Sequence, residues 1–202
     1  MRSAVHQALR DGTSLAHDRV DAAFADFDLT DRASYARFLA AHADVVWPLE
    51  ATLPGDRVVA NWADRKRGHL LREDLAQLPR QSVRPELVEG RASASGAPDG
   101  EEPFDKLRAN GDLSAIAGTL YVLEGSRLGG KFLARRLPAG FPRAYLDADQ
   151  RAENWQQLLG VIDRLLREPD ALAAALAAAL ATFAAFEHSA ANWRRDEIGE
   201  GR

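Results

Sequence analysis

A histidine followed one helical turn later by a carboxylate is a metal-ligand pattern, and Thr13, His17 and Asp21 recur at four-residue intervals near the start of the chain. Helical spacing places all three on one face. Histidine binds a metal through a neutral ring nitrogen, and a carboxylate on the other nitrogen fixes the tautomer and strengthens the ligand. The same spacing also fits a partly buried histidine that Asp21 satisfies for structural reasons. Spacing alone leaves both readings open.

The second unusual feature is the run Gly125-Ser126-Arg127-Leu128-Gly129-Gly130, flanked by the helical patterns LYVLE and KFLARRL. Each glycine inside a helix costs about 1 kcal/mol relative to alanine. A kink, a close helix crossing or direct approach of backbone to a flat ligand would offset that cost. Close packing and ligand approach both stay open on periodicity.

The remaining histidines read as less chemical. His6 lies near a start expected to fray, and His69 sits in RKRGH on a solvated face. His42 falls on an apolar helix face as a core or rim residue, and His188 is expected at the surface. Neither HExxH nor the repeated ExxH of a di-iron bundle occurs. With 0 cysteines, disulfides, thiolate metal sites and cysteine nucleophiles are excluded. A formal net charge of −4 gives no electrostatic footprint for nucleic acid. The start lacks the apolar run of a signal peptide, so a cytoplasmic location is expected. Ala171 to Phe186, the most apolar stretch, reads as too short and too weakly apolar to span a bilayer.

The elements that must position these residues are helical. Alanine, leucine and arginine dominate, and no alternating strand pattern with turn punctuation appears. The periodicity predicts helices over Ser3–Phe24, Asp31–Leu49, Val58–Leu78, Leu113–Leu137, Asp147–Arg167 and Asp170–Trp193. Thr30 or Asp31 caps the second and Asp112 or Ser114 the fourth. In the first helix Val5, Ala8, Leu9, Leu15, Ala16, Val20 and Phe24 are expected to face the core. The segment at about residues 80–111 is rich in Pro, Gly, Ser and charge and reads as a mobile insertion. The tail DEIGEGR is expected to fray. Residues 1–202 thus form a single all-α domain, a compact bundle of roughly six helices.

Taken together, these motifs resemble a known family. TSLAHDRVD resembles the proximal-histidine helix of heme oxygenases. YVLEGSRLGGKFLARRL is similar to their kinked distal helix in the form of bacterial, biliverdin-producing, phytochrome-associated members. RKRGHLLREDLAQL is similar to the charged third-helix segment, and Trp155 and TFAAFE fit the C-terminal helices. The resemblance covers nearly the whole chain apart from the insertion.

It implies that His17 is the proximal iron ligand and that Asp21 accepts from its second nitrogen. It implies that Gly125, Ser126 and Gly129 form the catalytic, oxygen-facing side, with Gly130 also against the heme. Heme would be both substrate and cofactor, cleaved with O2 and reductant to biliverdin, carbon monoxide and ferrous iron. Arg10, with Lys131 and Arg135 as weaker alternatives, would meet the heme propionates. Thr13 and Phe186 would line the heme.

Mammalian-type members carry an aspartate at the position of Ser126. Serine orders water but holds no charge, so Glu124, Arg127 or water alone is expected to deliver protons. The resemblance further implies a ferredoxin or reductase as electron donor and a bacteriophytochrome as a biliverdin acceptor, with no nucleic-acid or membrane partner. A non-catalytic heme carrier of the same fold and a heme-free helical interaction protein are the competing readings.

Overall fold

Side-chain caps set where the helices begin. In the computed structural model, which describes residues 3–78, 112–148 and 152–199, α1 (Ala4–Ala25) starts where Ser3 Oγ accepts the His6 backbone N–H at 3.1 Å. Ser3 also hydrogen-bonds Asp163, so the first turn is fastened rather than frayed. α2 (Arg32–Thr52) is capped by Asp31, whose carboxylate accepts from Ser34 N at 2.7 Å. Asp112 caps α5 (Leu113–Ala134) in the same way, at 2.9 Å from Ser114 N. The insertion expected at residues 80–111 lies outside the described residues.

The predicted third helix does not form as one element. Residues 55–78 fold instead as a 3-10 turn (Gly55–Arg57), a four-residue α3 (Trp62–Arg65) and α4 (Gly68–Ala76). The reason is Arg65, which is 1% exposed and must satisfy its guanidinium inside the protein. It donates to Asn61 Oδ1 at 2.8 Å, Asn154 O at 2.9 Å and Gln157 Oε1 at 2.7 Å. Two of these bonds tie the guanidinium to α6 (Ala152–Leu165), so partners distant in sequence fix the chain at this break. α2, conversely, carries Pro48 inside it and runs on to Thr52, three residues beyond the expected end at Leu49. Leu49 is buried, and the Glu50 carboxylate accepts from Arg67 N at 2.6 Å and Gly68 N at 2.8 Å. That tertiary fastening offsets the ladder bond lost at proline.

α6 buries Leu158 and Ile162, and α7 (Pro169–Gly199) continues through part of the tail expected to fray. α7 is the central helix, packed along α1, α2 and α5. Its deepest positions are alanines, with Ala175, Ala179 and Ala190 at 0% exposure. Small residues let neighbours approach: a Cβ added to Gly118 of α5 would lie 2.0 Å from Ala175 O. Gly118 is therefore a helix-crossing glycine. Trp193 Nε1 donates to Asp44 Oδ2 at 2.8 Å and Ser189 Oγ to Ala41 O at 3.0 Å, tying α7 to α2.

Contrary to the sequence expectation, α7 from Pro169 to Arg194 is long and apolar enough by composition to cross a bilayer. Of its most apolar window, 33% is buried within the bundle. Leu15 was expected in the core and is 74% exposed. Ala8 is exposed as well; Leu9 and Ala16 are buried as expected, Val5, Val20 and Phe24 are partly buried, and α1 also buries Thr13 and Ala23. No strand occurs among the described residues, and the structure is all-α as the sequence implied.

Candidate functional site

α1 and α5 both pack on α7 yet make almost no contact with each other. Between them lies a cleft of about 1390 Å³, larger than the roughly 300–1,000 Å³ of ordinary small-ligand sites. α2, α6 and the loop after α5 complete its walls. Arg10, Thr13, His17 and Asp21 line it from α1; Gly125, Ser126, Gly129 and Gly130 from α5; and Phe186 from α7. The fold thus gathers into one cleft residues that sequence spacing had nominated separately.

Their individual settings differ. His17 Nδ1 lies 3.2 Å from Asp21 Oδ2, and the two side chains are 59% and 69% exposed. A histidine held for structural reasons is normally enclosed; this one stands open at a cleft wall with Nε2 free for a ligand. Phe183 meets its ring edge-on at 5.9 Å. Thr13 is 3% exposed, and its Oγ1 donates to Leu9 O at 2.8 Å. Phe186 is 5% exposed and contributes apolar wall.

The glycines separate by role. α5 runs unbroken through Gly125, Gly129 and Gly130. A Cβ at Gly125 would come no nearer than 3.8 Å to Trp155, and one at Gly129 would meet nothing within 4 Å. Neither is needed for helix packing; each leaves the α5 backbone bare toward the cleft. Gly130 differs, because its Cβ would press on Leu146 O at 2.9 Å. It also serves the close seating of the loop after α5.

Glu124, Arg127 or water alone was expected to deliver protons, but neither side chain lines the cleft. Glu124, 1% exposed, lies 3.0 Å from Arg127 and 3.6 Å from Arg65, and Arg127 also donates to Arg65 O. They form a buried charge cluster behind α5, where burial lowers the pKa of both arginines. Lys131 and Arg135 also fall outside the lining, whereas Arg136 is part of it.

Arg67, Tyr145 and His42 are among the lining residues that were not nominated. Arg67 reaches into the cleft from the start of α4 and donates from Nη2 to Ser126 Oγ at 3.0 Å. Its guanidinium lies 4.6 Å over the Tyr145 ring, and burial raises the Tyr145 phenol above its ordinary pKa. Tyr145 is held by Asp74, whose Oδ2 accepts its backbone N–H at 2.9 Å. His42 lines the cleft from α2 with Nδ1 2.8 Å from Phe38 O, and burial pushes its pKa down to about 4. The available signal for Arg67 was the Arg-Gly step at 67–68, since Gly68 has no room for a Cβ beside Glu50 and Trp47.

Among the described residues no three His, Asp or Glu side chains converge as a metal site. A metal bound at His17 would have to bring most of its ligands with it. An iron porphyrin meets that condition, and its flat macrocycle suits the bare Gly125–Gly129 wall. The cations Arg10 and Arg136 suit its carboxylates.

No protein-family model matches the chain. A curated heme oxygenase of Xanthomonas campestris pv. campestris (strain 8004) is 30% identical over 167 residues, covering 77% of this chain and 88% of that protein. The NO- and CO-bound heme oxygenase of Neisseria meningitidis aligns with a TM-score of 0.69 at 19% identity, over 94% of this chain and 91% of that one. Heme oxygenase from Leptospira interrogans gives 0.62 at 18% identity, over 94% and 100%. At such identities the two structures establish the shared fold.

Proposed function

Because this chain belongs to the heme oxygenase family, we propose that it binds heme between α1 and α5 and cleaves it, with O2 and reductant, to biliverdin, carbon monoxide and ferrous iron. The observation that carries this reading is the pairing of cleft walls. One presents an imidazole backed by a carboxylate, and the other presents backbone without side chains.

Bound heme supplies the oxygen-activating chemistry, and the protein supplies binding, orientation and polarity. His17 Nε2 holds the iron. Asp21 accepts from Nδ1, fixing the tautomer that leaves Nε2 unprotonated. Gly125 and Gly129 let the backbone of α5 lie close to the macrocycle. Arg67 and Ser126 place a hydrogen-bonded pair on the same side, Arg67 donating and Ser126 accepting, and these, rather than Glu124 or Arg127, hold the water that delivers protons. Arg10 meets a propionate at the rim, and Phe183 and Phe186 supply apolar wall.

The test is heme titration followed by turnover with ascorbate or a ferredoxin system. A one-to-one complex with a shifted Soret band, then biliverdin absorption, supports the reading. A complex that autoxidises without forming bile pigment identifies a carrier, and no Soret shift rules out heme binding.

A further inference from the structure

Of the histidines in the cleft, His42 has been given no task so far, and its surroundings suit one. It projects from α2 into a ring cluster: Phe24 at 4.4 Å, Phe38 at 4.5 Å, Tyr145 at 5.6 Å and Phe186 at 5.7 Å. Its Nδ1 lies 2.8 Å from the carbonyl of Phe38. A carbonyl only accepts, so Nδ1 carries the proton and Nε2 presents a lone pair. The ring lines the same cleft as Ser126 and Arg67, and Tyr145 bridges the two sides, touching His42 and lying 4.6 Å from the Arg67 guanidinium.

The polar groups already placed there are unbalanced. Arg67 offers only donors. Ser126 has given its proton to Leu123 O at 2.8 Å and one lone pair to Arg67. Water ordered on these groups needs somewhere to send its own protons, and the walls around it are largely aromatic.

We propose that His42 is a positioning residue whose Nε2 accepts the hydrogen bond of water ordered by Arg67 and Ser126, giving the oxygen side of the cleft an acceptor to match its donors. The proposal rests on the heme reading above and extends it. Burial and the nearby Arg67 charge keep the imidazole neutral down to about pH 4, so the lone pair is present throughout the working range. Of the other elements packed on this ring, the loop after α5 contributes Tyr145 as its ionisable group, while α1 and α7 present Phe24 and Phe186.

Two measurements decide it. In the free wild-type protein, side-chain nitrogen NMR should show His42 protonated at Nδ1, bare at Nε2 and titrating near pH 4. The opposite tautomer, or titration near the ordinary value, overturns the proposal even if no variant folds. In the ferric heme complex, the pH midpoint for ionisation of the iron-bound water reports the acceptor. Water has one more proton to donate than hydroxide, so losing the acceptor lowers the midpoint. His42→Leu should lower it by about one unit, a tenfold change in the constant, and His42→Gln, which can still accept, should restore it. An unchanged midpoint in a heme-bound His42→Leu protein overturns the proposal. Failure of the wild type to bind heme would instead overturn the reading it rests on, and the NMR arm would still report the tautomer.

Discussion

Arg67 Nη2 donates to Ser126 Oγ at 3.0 Å, joining residues 59 apart in sequence. The contact places a permanent cation where the serine alone has no charge. Three fixed points hold Arg67 there: its backbone N–H on Glu50 Oε1 at 2.6 Å, its Nη2 near Leu123 O at 3.3 Å, and the Tyr145 ring. Glu50 lies in the last turn of α2 and accepts from the first backbone N–H groups of α4, so the carboxylate that fastens α2 to α4 also aims the arginine. The acid nearest in sequence, Glu124, is meanwhile consumed by Arg65 and Arg127.

Arg67 is therefore expected to matter for turnover more than for binding. Arg67→Leu should leave heme affinity within a few-fold while slowing bile-pigment formation about 100-fold, a typical contribution of positioned proton transfer. Arg67→Lys keeps the charge without the planar fork and should recover part of the rate. Ser126→Ala, which removes one link and leaves the cation, should cost about tenfold or less. Single-turnover kinetics on preformed heme complexes separate the two effects. A heme affinity that falls in step with the rate would make Arg67 a binding residue.

The all-α class, the capped starts of α2 and α5 and the pairing of His17 with Asp21 were legible in the sequence, because each depends on neighbours within a turn or so. Arg67 was not. Its role is set by Glu50, Ser126 and Tyr145, and in RKRGHLLRED it is one cation among several. The broken third helix was hidden for the same reason, since Arg65 finds its partners on α6. For the glycine run, periodicity could not choose between packing and ligand approach. The structure divides the roles, leaving Gly125 and Gly129 open while Gly130 packs and the unnominated Gly118 makes the tight crossing.

That division predicts opposite signs for the same substitution. Gly118→Ala places a methyl against Ala175 O and should destabilise the protein by about 3 kcal/mol, roughly 10 °C in Tm at this size. Gly129→Ala has open space and should stabilise the heme-free helix by up to about 1 kcal/mol, while weakening heme binding because the methyl now faces the ligand. Thermal melts with and without heme provide the check. A Gly129→Ala protein that is less stable without heme would make that glycine a packing residue after all.

His17→Ala should abolish the axial-ligand signature of the heme complex, and added imidazole should restore it. Asp21→Asn should have a milder effect than the 10–100-fold typical of carboxylate partners of metal-bound histidines. The pair is more than half exposed, so solvent screens the carboxylate and can replace it. About a threefold loss in affinity, with a lower iron–imidazole stretching frequency in the ferrous complex, is the expected outcome. A loss as large as that of His17→Ala would mean that Asp21 positions more than one ring nitrogen.

His42 should also make the protein acid-sensitive. Burial lowers its pKa from 6.5 to about 4, so the native protein binds fewer protons than the unfolded chain between those values. Where the unfolded state binds more protons, stability rises with pH. The contribution is therefore complete above about pH 6.5 and is lost as pH falls through the window toward 4. Between pH 7 and pH 5 this one group should remove about 2 kcal/mol of stability. Urea unfolding of the heme-free protein at the two pH values measures the drop, and His42→Gln should shrink it by that amount because glutamine does not titrate. An equal drop in the variant would assign the acid sensitivity to other groups and would also weaken the case for a neutral imidazole facing the cleft.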